Sequence, residues 1–150
     1  MKGILKIVLS IVFILTVGCT SIEVEPIPAE ENLKEISIKE IPKVIVEDYL
    51  PLVEKAFNDR GIKTLHFNDS QEAPTPYILT YTALRTWDFV TYLSHAELKL
   101  EKNGKTIGSA VYHLNGGGGL SMMKWQGVET KMTPVLNEFL QHYPKNDSHK

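Results

Sequence analysis

The chain is poor in the residues that announce chemistry. It has one cysteine, Cys19. That excludes an internal disulfide framework and a cysteine-based zinc site of its own. It has no basic excess: 16 Lys and Arg stand against 18 Asp and Glu, a net charge of −2. A protein that binds nucleic acid by neutralising phosphates needs such an excess to drive counterion release, so that class is set aside. The one long apolar run, from Ile7 to Leu15, is shorter than the roughly 20 apolar residues a spanning helix needs. There is no Gly-x-Ser-x-Gly elbow, and the acidic residues are scattered. Nothing here forms a nucleophile-and-base arrangement.

What is present begins at the amino terminus. Lys2 and Lys6 form a short positive region, and the apolar run follows. Together they read as a secretory signal peptide over residues 1–18. Leu15-Thr16-Val17-Gly18-Cys19-Thr20 comes next. A small residue directly before a lone cysteine at this point resembles the bacterial lipobox, with Thr16 where leucine is usual. The resemblance implies a diacylglyceryl group on the Cys19 thiol, cleavage before it and acylation of the new amine. Several acyl chains on one residue hold a protein stably on a membrane. Thr20 stands where Asp is associated with inner-membrane retention, which implies the outer membrane of a Gram-negative envelope. Cleavage would remove Lys2 and Lys6, leaving 132 residues with 14 basic and 18 acidic side chains.

Residues 19–33 read as the lipidated cysteine and a tether. Pro26 and Pro28 interrupt a stretch rich in glutamate, and proline holds a backbone extended. Alternating Ile22, Val24 and Ile27 leave an edge strand as the other reading. Residues 34–150 read as one α+β domain. The first strand is expected over 35–39. A helix follows, carrying Val46, Tyr49, Leu50, Val53 and Phe57 at helical spacing. It starts either near Asp48 or at Pro42; we take the longer form, kinked at Pro51. Strands are expected at 62–67 and 77–87.

The clearest pattern is His95 to Glu101, which alternates strictly, then Asn103-Gly104, then Thr106 to Leu114. Asn-Gly between two such runs is a hairpin signal. A two-residue turn places Leu100 opposite Ile107, Leu98 opposite Ser109 and Ala96 opposite Val111, all on the dry face. Gly108, Ala110 and Tyr112 then fall on the wet face with His95, Glu97 and Lys99. His95 and His113 land on opposite faces and cannot share a metal without a bulge. The last helix carries Met132, Val135, Leu136, Phe139 and Leu140, with Pro134 in its opening turns. The order β-α-β-β-β-β-α predicts a two-layer sandwich: a mostly antiparallel sheet of four to five strands with two helices on one face.

Gly116, Gly117, Gly118 and Gly119 lead into Leu120-Ser121-Met122-Met123-Lys124. The spacing fits neither a P-loop nor a dinucleotide fingerprint, so no cofactor is expected and the run reads as a flexible crossover. Trp87, Phe89, Tyr92, Tyr112 and Trp125 are expected near it. Tyr112, Gly116–Gly119, Trp125 and Trp87 are therefore the candidate interaction surface, with Met122, Met123 and Trp125 as a possible apolar lip.

Pro42-Lys43-Val44-Ile45-Val46, residues 79–88 from Leu79 to Asp88, Tyr92-Leu93-Ser94-His95-Ala96-Glu97-Leu98, and residues 116–125 from Gly116 to Trp125 together resemble the Sbal family of small proteobacterial lipoproteins. That resemblance implies an envelope lipoprotein with no assigned activity and no catalytic residues to transfer. The element order is also similar to that of envelope-assembly lipoproteins. The expectation is a non-catalytic, membrane-anchored binding or assembly module in the periplasm, with an envelope protein as partner. The alternative is a binder of a small hydrophobic or anionic ligand between the sheet and the glycine loop. Cys19→Ala is expected to abolish acylation, read as loss of the acyl mass from the amino-terminal peptide.

Overall fold

The computed structural model describes residues 20–41, 46–115 and 122–146. Six strands and two helices are built from them: β1 (Thr20–Glu25), β2 (Glu35–Lys39), α1 (Tyr49–Asn58), β3 (Lys63–Phe67), β4 (Tyr77–Asp88), β5 (Val90–Lys102), β6 (Lys105–Leu114) and α2 (Val128–Phe139). Two short 3-10 turns, Ala29–Glu31 and Met122–Trp125, complete the order. The sheet runs β1-β6-β5-β4-β2-β3. The α+β class is as expected, but there are six strands rather than four or five, and the sheet is mixed: β2 pairs parallel with both β3 and β4, and every other pair is antiparallel. The parallel pair follows from α1, which carries the chain back over the sheet between β2 and β3.

The extra strand lies in the stretch expected to be a tether. Thr20–Glu25 pairs antiparallel with β6, from Thr20 opposite Leu114 to Glu25 opposite Ser109. The prolines come just after it, where they need no ladder hydrogen bond. Ile27 and Leu33 are buried in the core. The Ile27 amide donates to the Phe139 carbonyl at 3.0 Å, and the Tyr143 hydroxyl donates to the Pro28 carbonyl at 2.8 Å. Lys102 Nζ donates to Glu31 Oε2 at 2.7 Å, which holds the Glu31 carboxyl below its ordinary range. The segment therefore packs instead of standing off.

Helix α1 begins at Tyr49, with Asp48 at its N-cap position. The long kinked helix from Pro42 is not formed: Glu47 and Asp48 are turn, and residues 42–45 lie outside the described residues. Pro51 falls in the first turn, where its missing N–H would have had no partner. Helix α2 does contain Pro134 in its second turn, so the Thr130 carbonyl loses its usual intrahelical donor. Both helices bury one stripe, Tyr49, Val53 and Phe57 from α1 and Val128, Met132, Val135, Leu136 and Phe139 from α2. These meet Ile36, Ile38, Leu79, Tyr81, Ala83, Ala96, Leu98 and Leu100 in one core. Strand β2 is buried on its other face too, because Thr75 of the 68–76 loop lies over Ser37, its amide donating to Ser37 Oγ at 2.9 Å.

The β5–β6 hairpin corrects the expected register. Asn103 and Gly104 both have positive φ, +51° and +79°, as a two-residue turn of this type requires. Lys102 opposes Lys105 and Glu101 opposes Thr106, as expected. The ladder then slips, so that Leu100 faces Gly108, Leu98 faces Ala110 and Ala96 faces Tyr112. Ile107 is the bulged residue. One inserted residue exchanges the two faces of a strand, so Gly108, Ala110 and Tyr112 enter the core and Ser109, Val111 and His113 turn outward, while the bulged Ile107 stays partly buried against the core.

Gly108 shows why this register holds. A Cβ there would sit 2.9 Å from Ile27 Cγ1, 3.1 Å from Phe139 Cε2 and 3.3 Å from the Glu25 carbonyl oxygen. Only glycine lets the amino-terminal segment and α2 close onto β6. Gly108→Ala is expected to destabilise the domain by about 1–3 kcal/mol through overpacking, read from the midpoint of urea unfolding. Gly104→Ala lies in open space but at positive φ and separates the turn effect from the packing effect.

Candidate functional site

The site is the end of the sheet from which the chain runs back to Cys19. Register fixes what gathers there. Thr20 opposes Leu114, His113 opposes His95, and His95 opposes Leu84. Beyond that level β1 and β6 stop, while β4 and β5 continue to Asp88 and Val90. The overhang is four residues, roughly 13 Å at strand rise. Phe89 turns the chain with φ +61°. Trp87 is 72% exposed, Phe89 86% and Val90 59%. Leu84 is exposed at the base of the hairpin.

On the core side the base of this hairpin is braced by two lysines. Lys131 stands in the apolar stripe of α2, between Val128 and Val135, and is 5% exposed. Its Nζ donates to the Leu93 carbonyl at 3.0 Å and to the Lys124 carbonyl at 2.7 Å. It therefore ties the Met122–Trp125 turn to the start of β5. The same ammonium lies 5.5 Å from the Tyr92 ring centroid and 6.0 Å from that of Tyr112. Lys124 Nζ lies 5.9 Å from the Tyr92 centroid and 5.0 Å from that of Trp125. Such cation–π contacts gain strength when desolvated. Burial pushes the Lys131 pKa down and the Tyr112 pKa up.

The candidate surface residues divide accordingly. Trp87 and Trp125 are exposed and belong to the same end of the sheet. Tyr112 is 3% exposed and lies in the core; the Ile107 bulge moved it there. Gly116, Gly117, Gly118 and Gly119 lie outside the described residues, as does Cys19. Met122 and Met123 belong to the 3-10 turn that ends at Trp125. Sequence reasoning missed Lys131. Its position in the 128, 131, 132, 135 stripe was the available signal.

The bulge also reverses the expected separation of His95 and His113. They are directly paired across β5 and β6, with Nδ1 to Nδ1 at 3.3 Å. His95 Nε2 lies 2.9 Å from Glu97 Oε1. When Nε2–H donates to that carboxylate, His95 Nδ1 is the acceptor and His113 Nδ1–H the donor. Two imidazoles and one outlying carboxylate make a hydrogen-bonded chain. Among the described residues, no group of three or more His, Cys, Asp or Glu side chains could hold a metal. Leu84, Thr86, Tyr92, Ser94 and Leu114 surround the pair in an open depression.

No protein-family model matches the chain, and no curated protein matches it. Solved structures are similar in fold. The PelC dodecamer from Paraburkholderia phytofirmans, in space group P6, is 12% identical, with 85% of this chain and 99% of that chain covered and a TM-score of 0.54. A point variant of it in space group C2 gives 12%, 85%, 99% and 0.51. A minor lipoprotein from Acinetobacter baumannii is 14% identical over 73% of this chain and 84% of its own, with a TM-score of 0.30. At these identities the PelC likeness shows the fold alone. The resemblance to the Sbal family rests on the residues that suggested it.

Lys131→Met keeps much of the side-chain volume and removes both hydrogen bonds. It is expected to destabilise by about 1–3 kcal/mol, because two buried carbonyls lose their donor, and to speed amide exchange over Met122–Trp125. The pH dependence has a definite sign. A lysine whose folded pKa lies below its unfolded value binds fewer protons in the fold. Stability from it therefore rises as pH climbs from the folded pKa toward the ordinary lysine value. The stability gap between wild type and Lys131→Met should widen over that alkaline window in pH-dependent thermal unfolding.

Proposed function

We propose that the chain is a membrane-anchored envelope lipoprotein that acts as a non-catalytic binding or assembly module in the periplasm. The observation that carries this reading is the coincidence of two features at one end of the sheet. The chain departs there toward its only cysteine, and apolar side chains stand exposed there, Trp87 and Trp125 among them. Large exposed apolar side chains grouped on one end of a small domain favour an interaction surface over a solvated one. Among the described residues no helix is long and apolar enough to cross a membrane, so attachment on this reading falls to acylated Cys19. Thr20 after the cysteine favours the outer membrane.

The PelC protein of similar fold is a dodecamer. Carried to this chain, that favours an assembly in which copies of the module, or an envelope protein, contact the turn that bears Trp125. Trp is a frequent anchor in such contacts. A second reading, a small hydrophobic or anionic ligand, is favoured by the open depression around Leu84, Tyr92, His95 and His113.

The test is cross-linking in living cells with the native anchor, followed by capture from the envelope. Wild type is expected to yield one dominant cross-linked species. Cys19→Ala should lose it with the membrane localisation, and Trp125→Glu should lose it while remaining folded and membrane-bound. An unchanged species in folded Trp125→Glu would remove this surface from the interface. An empty capture from correctly localised wild type, together with a small molecule retained in native mass spectrometry, would replace the assembly reading with ligand binding.

A further inference from the structure

We propose that the tip of the β4–β5 hairpin is a membrane-contact element, with Trp87, Phe89 and Val90 entering the interfacial region of the leaflet that holds the Cys19 acyl chains. The inference rests on the lipid-anchored reading and gives it an orientation.

The first support is where the chain leaves the domain. Thr20 already pairs with Leu114, and Cys19 is one peptide bond away, about 3.8 Å between Cα atoms. No free tether separates the anchor from the sheet. An acylated Cys19 would hold that rim of the sheet at the bilayer surface.

The second support is direction and reach. His113 opposes His95, so Leu114 is level with Ser94. Val90 lies four residues further along β5, on the side of that level toward which the amino-terminal end of β1 points. At strand rise this is an overhang of roughly 13 Å, comparable with the ~5–10 Å by which interfacial elements bury their apolar side. A rim held at the bilayer surface thus brings the tip to the depth where headgroups meet acyl chains.

The third support is composition. The tip reads Trp87-Asp88-Phe89-Val90. Its three apolar side chains are the most exposed large hydrophobics of the described residues. Tryptophan rests at the membrane–water boundary, its ring apolar and its indole N–H wet, and Phe89 and Val90 add apolar surface beside it. Trp125 differs: it lies 45% exposed beside Lys124 on the turn that packs against β5. It is left for the partner contact.

The test uses the full-length protein as processed by its host, reconstituted into vesicles of phosphatidylethanolamine and phosphatidylglycerol, with and without lipids brominated on the acyl chains. The chain has two tryptophans, so Trp125→Phe reports Trp87 alone and Trp87→Phe reports Trp125 alone. Bromolipids are expected to reduce Trp87 emission by about twofold or more, as for an interfacial tryptophan, and to leave Trp125 nearly unchanged. Equal quenching of both, or none at Trp87, overturns the proposal. So does a Trp87 that is shielded from an aqueous quencher but insensitive to bromolipid, which would mean a protein covers the tip. The mass of the amino-terminal peptide separates the two failures. Acylated Cys19 with unquenched Trp87 sinks the hairpin contact alone, and an unacylated cysteine sinks the anchor and the orientation with it.

Discussion

One inserted residue decides which side of β6 meets the helices. Ile107 is accommodated as a bulge after two regular pairs of the hairpin ladder, and every later residue of β6 takes its face from that event. The core needs it there. Ile27 and Phe139 close onto β6 at Gly108, within a distance no other residue allows. The amide of Ile27 bonds to the carbonyl of Phe139 across the same contact. The unslipped register would put Val111 under the helices and Gly108 in solvent. Neither the amino-terminal segment nor α2 could then approach. The bulge also sets Tyr112 beneath Lys131 and His113 beside His95.

What was legible in the residues, and what was not, follows from the range of the forces involved. Strict alternation from His95 to Glu101 and the Asn103-Gly104 turn are local signals, and the strand, turn and first two pairs are as expected. The apolar stripes of the two helices are local as well. The bulge is not local, because it answers to Ile27 and Phe139, far away in sequence. The same holds for β1. Its glutamates and the prolines that follow it suggest an exposed tether, and the alternation of Ile22 and Val24 leaves an edge strand only as the other reading; its partner β6 is chosen by backbone groups that composition does not reveal. Of the candidate surface, Trp87 and Trp125 are exposed and Tyr112 is not. Lys131 escaped notice because a charge on an apolar stripe is easily taken for its edge. Two carbonyls and two aromatic rings make its burial tolerable.

The end of the sheet where Thr20 meets Leu114 is built in two parts with different mechanical characters. Among the described residues the hairpin tip overhangs the neighbouring strands and is held by its own ladder and by the turn at Phe89. Its base is clamped by Lys131, which joins α2, β5 and the Met122–Trp125 turn in one polar knot. Exposed aromatics on a supported ribbon keep a fixed direction. That is what the proposed module requires if it is to present one side to a bilayer and the other to a partner.

The pairing of β1 with β6 has a consequence for how the chain assembles in time. β1 is the first strand to be synthesised and the first to leave any channel that passes the chain amino terminus first. Its partner positions run from Ser109 to Leu114, near the other end of the chain. Contacts so distant in sequence close slowly, because the intervening loop must be ordered before they repay it. The segment that follows β1 is also locked late, since Ile27 waits for Phe139. Thr20–Glu25 is therefore expected to pair late, as the domain completes. On the lipid-anchored reading, an enzyme acting on Cys19 would meet an unpaired strand early and one paired with β6 afterwards.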